Sequence, residues 1–261
     1  MTRVLVQAGF HKTGNKSIQS FFRQNEQALA PFCRMVFKWN MRDANSAAHA
    51  FGTRPGPLRR NEMRQAFRAD VQRIAAQPAT TYLLFAEDLA GPMPGLNDVP
   101  NYGAAPLIAK ELCRVALAQF GPETSVSFHY TTRKPDPWVS SLYRHHVLDG
   151  RLITPFADFQ QQYLQAANFA DVLAEIGRKA RPAGVVSQSL EATQDLRFGP
   201  ATSLLDQLHV PQAVIDDLLP PQLEHKGLAK DLVGEMLKLN RQIEDRDLLR
   251  LAKAKLIGAA N

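Results

Sequence analysis

Cysteine is scarce: Cys33 and Cys113 are the only two in 261 residues, each in an apolar setting. Two such residues build no disulfide framework and show no metal-ligand spacing, which suits a reducing compartment. No run approaches the ~18 apolar residues needed to span a bilayer, so membrane insertion is not expected. The N-terminus enters a strand-like segment directly, without the apolar stretch and small-residue cleavage site of a secretory leader, and a cytoplasmic protein is the expectation. No internal repeat, low-complexity tract or linker divides the chain, so one domain over residues 1–261 is expected. Charge of one sign is not concentrated either. The net charge is +6, but the basic residues do not gather in one block, which favours a small anionic ligand over nucleic acid. Arg54, Arg59, Arg60, Arg64, Arg68 and Arg73 are the densest group. They read as an exposed helix face or as a rim that attracts an anionic acceptor.

What is present is an alternation of short β-rich runs and helical patterns. The runs are Val4–Phe10, Tyr82–Ala86, Ser125–Thr132 and Gly184–Gln188. Between them, apolar residues at three- and four-residue spacing predict helices over Ser17–Leu29, Asn61–Ala76, Ala105–Phe120, Pro137–Leu148 and Asn168–Lys179. Strands alternating with helices predict an α/β three-layer sandwich around a central, mainly parallel sheet. The C-terminal third reads as helical, with Leu228–Ile243 and Asp247–Ile257 as its last elements. The stretch Gly91–Pro106, rich in Pro, Gly and Asn, reads as a loop.

The first run leads into His11-Lys12-Thr13-Gly14-Asn15-Lys16-Ser17 and then an apolar helical segment. A buried strand, a small polar loop and a helix make a phosphate cradle. Backbone N–H groups point into one concavity, and the helix dipole adds positive potential. Lys12 and Lys16 bring charge, Thr13 and Ser17 hydroxyls, Asn15 an amide, and Gly14 freedom to turn. The nucleoside-triphosphatase loop places its Lys directly after the second Gly; here Asn15 intervenes, and the register is off by one. A nucleotide kinase or other P-loop phosphotransferase therefore ranks second.

A second segment, Thr132-Arg133-Lys134-Pro135-Asp136-Pro137-Trp138-Val139-Ser140-Ser141, reads as strand end, turn and helix start. Proline suits the first helical position. Arg133 and Ser141 can then present a guanidinium and a hydroxyl to one phosphate. Trp138 reads as a packing residue beside the turn, and His145 and His146 as a packing or surface pair without the company a metal needs.

Taken together, Lys12, Thr13, Gly14 and Ser17 with Arg133, Pro135, Ser141 and Tyr143 resemble the two phosphate motifs of the sulfotransferases that use 3′-phosphoadenosine 5′-phosphosulfate (PAPS). The strand leading to Glu87 is similar to a strand of the bacterial and carbohydrate-type branch. The chain departs from the family pattern at Asn15 and Lys16, where members carry two hydroxyl residues. The resemblance implies a P-loop-type fold and transfer of a sulfuryl group from PAPS to a hydroxyl or amine of a small-molecule or carbohydrate acceptor. Adenosine 3′,5′-bisphosphate would be released, and no metal would be required. It further implies that Lys12 stabilises the leaving oxygen. Glu87, at the end of its inferred strand, is the first candidate for removing the acceptor's proton, and His11 the second. A non-catalytic nucleotide-binding relative is the third reading, motivated by Asn15 and Lys16. The chain shows no obvious match to the glycine-rich C-terminal loop with which cytosolic members cover adenosine, His225-Lys226-Gly227 being the candidate for that place, and Trp39 with residues 42–57 is expected to border the acceptor.

Overall fold

The computed structural model describes residues 1–221 and 230–260. Five strands form one sheet: β1 (Arg3–Gln7), β2 (Arg34–Phe37), β3 (Thr81–Phe85), β4 (Ser125–Thr132) and β5 (Gly184–Ser189). They run in the order β2-β3-β1-β4-β5, and every neighbouring pair is parallel. The principal helices are α1 (Asn15–Gln24), α2 (Arg42–Thr53), α3 (Pro57–Ala75), α4 (Ala105–Phe120), α5 (Pro135–Asp149), α6 (Phe169–Lys179), α7 (Lys230–Gln242) and α8 (Arg246–Ala260).

The two-residue period of a strand explains why both faces are covered. Val4, Val6, Tyr82 and Leu84 face one core, with Phe67, Ile108, Leu112, Trp138 and Leu142 from the helices. Leu5, Leu83 and Phe85 face the other, with Ile18, Phe21, Phe22, Leu204 and Leu205. The expected three layers are present, with the helical C-terminal region beyond them.

Differences from expectation are local. β1 stops at Gln7 instead of running to Phe10, because Gly9 turns the chain at φ 20°. The first helix stops at Gln24, where Asn25 bonds away to Leu219. β2, only four residues long, is an additional strand at the sheet edge. Part of the basic group is structural. Arg60 Nε and Arg64 Nε each lie 2.8 Å from the carboxylate of Glu111, which is 0% exposed. Burial alone would raise the Glu111 pKa, but the hydrogen bonds from Arg64 and Arg60 outweigh it and hold it below the usual carboxylate value. These two arginines therefore tie α3 to α4 and are not an acceptor rim. His225-Lys226-Gly227 lies outside the described residues.

His129 on β4 is buried, with Nε2 3.3 Å from Ser203 Oγ. Burial pushes its pKa down to about 4. The unfolded chain takes up this proton near ~6.5, while the folded chain does so only near the lower value. Stability at neutral pH therefore declines as pH falls through that interval. Denaturant midpoints are expected to drop across it with a contribution of up to about 1.4 kcal/mol per pH unit, and His129→Gln should remove that part of the slope.

Candidate functional site

β1 is flanked by β3 on one side and β4 on the other. The connection after β1 runs toward β2 and the connection after β4 runs toward β5, so these neighbouring strands send the chain in opposite directions from their C-terminal ends, which is where open parallel sheets form their crevice. The loop from β1 to α1 occupies this position and is closed from inside by one side chain. Asn15, 3% exposed, donates from Nδ2 to the Phe10 carbonyl at 2.8 Å and accepts at Oδ1 from Gln7 Nε2 at 2.8 Å. Its Nδ2 also faces Glu87 Oε2 at 3.5 Å. A Cβ on Gly9 would lie 1.9 Å from Asn15 Oδ1, so only glycine lets the asparagine dock. Thr13 is fully buried and donates to the same Phe10 carbonyl at 2.6 Å. The expectation that the Asn15 amide and Thr13 hydroxyl donate to phosphate is therefore revised. Both side chains shape the loop, and what residues 13 and 15 can offer an anion is backbone N–H.

Those N–H groups are free to do so. Lys12 at φ 65° and Gly14 at φ 102° bend the backbone through the left-handed region. No hydrogen bond to another described residue engages the N–H groups of residues 13–17, and no side chain caps α1. Unpaired amides at the start of a ten-residue helix form a concavity whose donors and dipole suit an anion. Around it stand half-buried Lys12 and Ser17 and exposed Lys16, and neither lysine forms an ion pair among the described residues. Burial lowers the Lys12 pKa, and the charges of Lys16 and Arg133 add to this; Asp149 and Glu87 oppose it.

The second segment folds directly against this loop. Arg133 donates to the Lys12 carbonyl at 3.1 Å, and Trp138 Nε1 to the His11 carbonyl at 2.9 Å. Trp138 is 0% exposed and packs edge-on against Phe169, which leaves no ring face for adenine. Ser141, one turn further along α5, is half-buried, and its hydroxyl bonds to no other described residue. Lys134 N donates to Glu191 Oε1 at 3.0 Å, which fastens the turn to the segment after β5.

Arg144 is a cation that the motif comparison passes over. It lies on the Ser141 face of α5 at i+3 spacing, with Nε 3.3 Å from the Ser140 carbonyl. Burial lowers the Arg133 pKa, Glu191 opposes this, and Arg144 lowers it further. The helical spacing was the available signal.

On the opposite side of Lys12 stand His11, Glu87 and Asp88. His11 is buried: its N–H donates to the Tyr102 hydroxyl at 3.0 Å, and Nδ1 lies 3.3 Å from the same oxygen. Its Nε2 faces Asp88 Oδ1 at 3.9 Å. Burial would raise the Asp88 pKa, but the hydrogen bond and charge of His11, with Lys38 and His49, hold it below the ordinary value. Glu87, just past β3, also has Lys38 Nζ 3.9 Å from Oε1. Lys38 and His49 thus bring the segment around Trp39 and residues 42–57 up to this edge. Among the described residues, no group of three or more His, Cys, Asp or Glu is arranged to hold a metal ion. No helix there is long and apolar enough to cross a membrane. A cleft of about 510 Å³, lined by Phe32, Arg34, Pro78 and Thr80 among others, opens at the opposite, N-terminal edge of the sheet.

No family model matches the chain, and no curated protein does. Among solved structures the chain is similar to a sulfotransferase from Alicyclobacillus acidocaldarius, with 15% identity and a TM-score of 0.46, covering 98% of this chain and 94% of that one. At that distance the likeness bears on no individual residue.

Proposed function

We propose that the chain is a sulfotransferase that binds PAPS in the crevice between the β1–α1 loop and the start of α5, and passes its sulfuryl group to a hydroxyl or amine. The observation that carries this reading is the Arg133 hydrogen bond to the Lys12 carbonyl at 3.1 Å. It joins two anion-binding segments 121 residues apart into one crevice, as a single bisphosphorylated adenosine requires.

The residues fit such a ligand. The free amides of residues 13–17, with Lys12, Lys16 and Ser17, suit the 5′ end. Arg133 and Ser141, with Arg144 beside them, suit the 3′-phosphate. Sulfuryl transfer keeps its charge on peripheral oxygens, so catalysis rests on positioning and electrostatics. Lys12 is assigned to the charge that develops on the leaving oxygen. His11 is assigned to holding the loop, because its ring lies between Tyr102 and Asp88 and its carbonyl receives Trp138. Glu87, with donors toward both oxygens, is assigned to holding Asn15 and Lys38 at the rim.

A thermal-shift comparison tests the reading. Adenosine 3′,5′-bisphosphate is expected to raise the melting midpoint by mass action, and ATP with magnesium to raise it less. Arg133→Ala should weaken the bisphosphate about 10- to 100-fold, the worth of a charge-assisted bond. A shift with ATP and magnesium and none with the bisphosphate would favour a phosphotransferase instead.

A further inference from the structure

α5 carries a second polar group beyond the phosphate-facing turn. His145 follows Ser141 by one helical turn, and Asp149 follows His145 by another, so the three share one face. His145 Nδ1 lies 2.6 Å from Asp149 Oδ2. The carboxylate holds the ring and fixes hydrogen on Nδ1, which leaves the lone pair on Nε2. No described residue bonds to that nitrogen, and the His145 side chain is 31% exposed. Its neighbour differs: His146 Nε2 is committed to the Pro94 carbonyl at 2.7 Å.

We propose that His145, with Asp149 as its positioning residue, takes the proton from the attacking hydroxyl. This deepens the sulfotransferase reading and rests on it. In the step, the acceptor oxygen's lone pair forms a bond to sulfur. The bond from sulfur to the bridging oxygen breaks, its electron pair stays on the 5′-phosphate beside Lys12, and the hydroxyl proton moves to Nε2. The imidazolium so formed is stabilised by Asp149 and later returns the proton to water.

The electrostatics agree with this placement. The charged and titratable groups that face His145 are Lys12, Asp149, His146 and His11. Burial lowers the His145 pKa first, Lys12 lowers it next, Asp149 opposes both, and His146 and His11 lower it further. Lys12 in turn feels Asp149, so the pair and the loop lysine lie within electrostatic reach. A neutral imidazole is thus available as a base below the usual histidine range. An anionic ligand against Lys12 would cancel part of that lysine's influence and raise the imidazole's basicity when transfer is due.

Release of sulfate from PAPS to water tests this without knowledge of the acceptor. In the wild type the rate should rise with pH along one acid limb. His145→Gln should lower it about 100-fold and abolish the limb, while the thermal shift with adenosine 3′,5′-bisphosphate is unchanged. Asp149→Asn should lower it about 10-fold and move the limb to lower pH, since loss of the carboxylate makes the imidazolium less stable. Glu87→Gln should keep the limb. A His145→Gln protein with wild-type rate and limb overturns the assignment, as does a limb lost in Glu87→Gln alone. A bisphosphate shift with no sulfate release in the wild type overturns the base assignment and leaves the binding site standing. A wild type with no shift overturns both.

Discussion

Lys12→Ala is expected to reduce sulfuryl transfer about 100- to 1000-fold, the cost of removing one preorganised charge from a developing anion. Lys12 stands at the mouth of the amide concavity and forms no ion pair among the described residues. Its charge is held ready for a ligand. Alanine meets the same backbone strain at φ 65° as lysine does, so the fold should be spared. The expected signature is a lost rate with a melting midpoint close to wild type and weakened bisphosphate binding. Wild-type turnover by this variant would remove Lys12 from the chemistry. A fall in midpoint as large as the fall in rate would instead assign it to the fold.

Gly9→Ala is the change expected to do most harm to the loop. The added Cβ would fall 1.9 Å from Asn15 Oδ1, 2.6 Å from Asn15 Cγ and 2.6 Å from Gln7 Nε2. No relaxation of one side chain relieves all three, because Asn15 is bonded at both ends of its amide. Overpacking and strain together should cost about 3 kcal/mol, or a drop of roughly 5–10 °C in melting midpoint. The bisphosphate shift should vanish with it. A double-mutant cycle with Asn15→Ala checks the cause. Removing the amide removes the two Asn15 contacts and releases Gln7 from its bond to Asn15, so the two losses should fall short of additivity. Full additivity would mean that Asn15 is not what Gly9 makes room for.

The Asn15 result explains why the loop reads ambiguously as a motif. By composition, Asn15 and Lys16 look like replacements for two anion-binding hydroxyls. In the folded loop one of them, Asn15, turns inward and becomes the fastener of the loop, while Lys16 stays outside. Residue type alone does not distinguish an inward amide from an outward one. That depends on Gln7 and Phe10 presenting partners, which only the bend at Gly9 arranges. The buried Glu111 is a similar case. Its arginine partners lie 51 and 47 residues away, and no helical spacing marks them.

The strands were legible where an apolar run of five or so residues is buried almost throughout, as in β1 and β3. Arg34–Phe37 was too short and too near Pro31 to show a period, although β3 supplies its partner along the whole edge. The helix over residues 135–149 was legible from its prolines and spacing. That spacing also contains His145 and Asp149, but the histidine reads there only as half of a packing or surface pair with His146, because nothing local says what its helix face meets.

By itself, then, the amino-acid order determined what short-range sterics and burial period can determine: the strand–loop–helix at the N-terminus, the proline-started helix after Arg133, and a sheet with two apolar faces. Those features follow from φ restrictions, backbone hydrogen bonding and the alternation of side chains. Only tertiary structure decided that the guanidinium of Arg133 reaches the Lys12 carbonyl and that the His145–Asp149 pair stands within electrostatic reach of Lys12. Such contacts link positions more than a hundred residues apart, and they exist only once the chain has closed those loops around a common core.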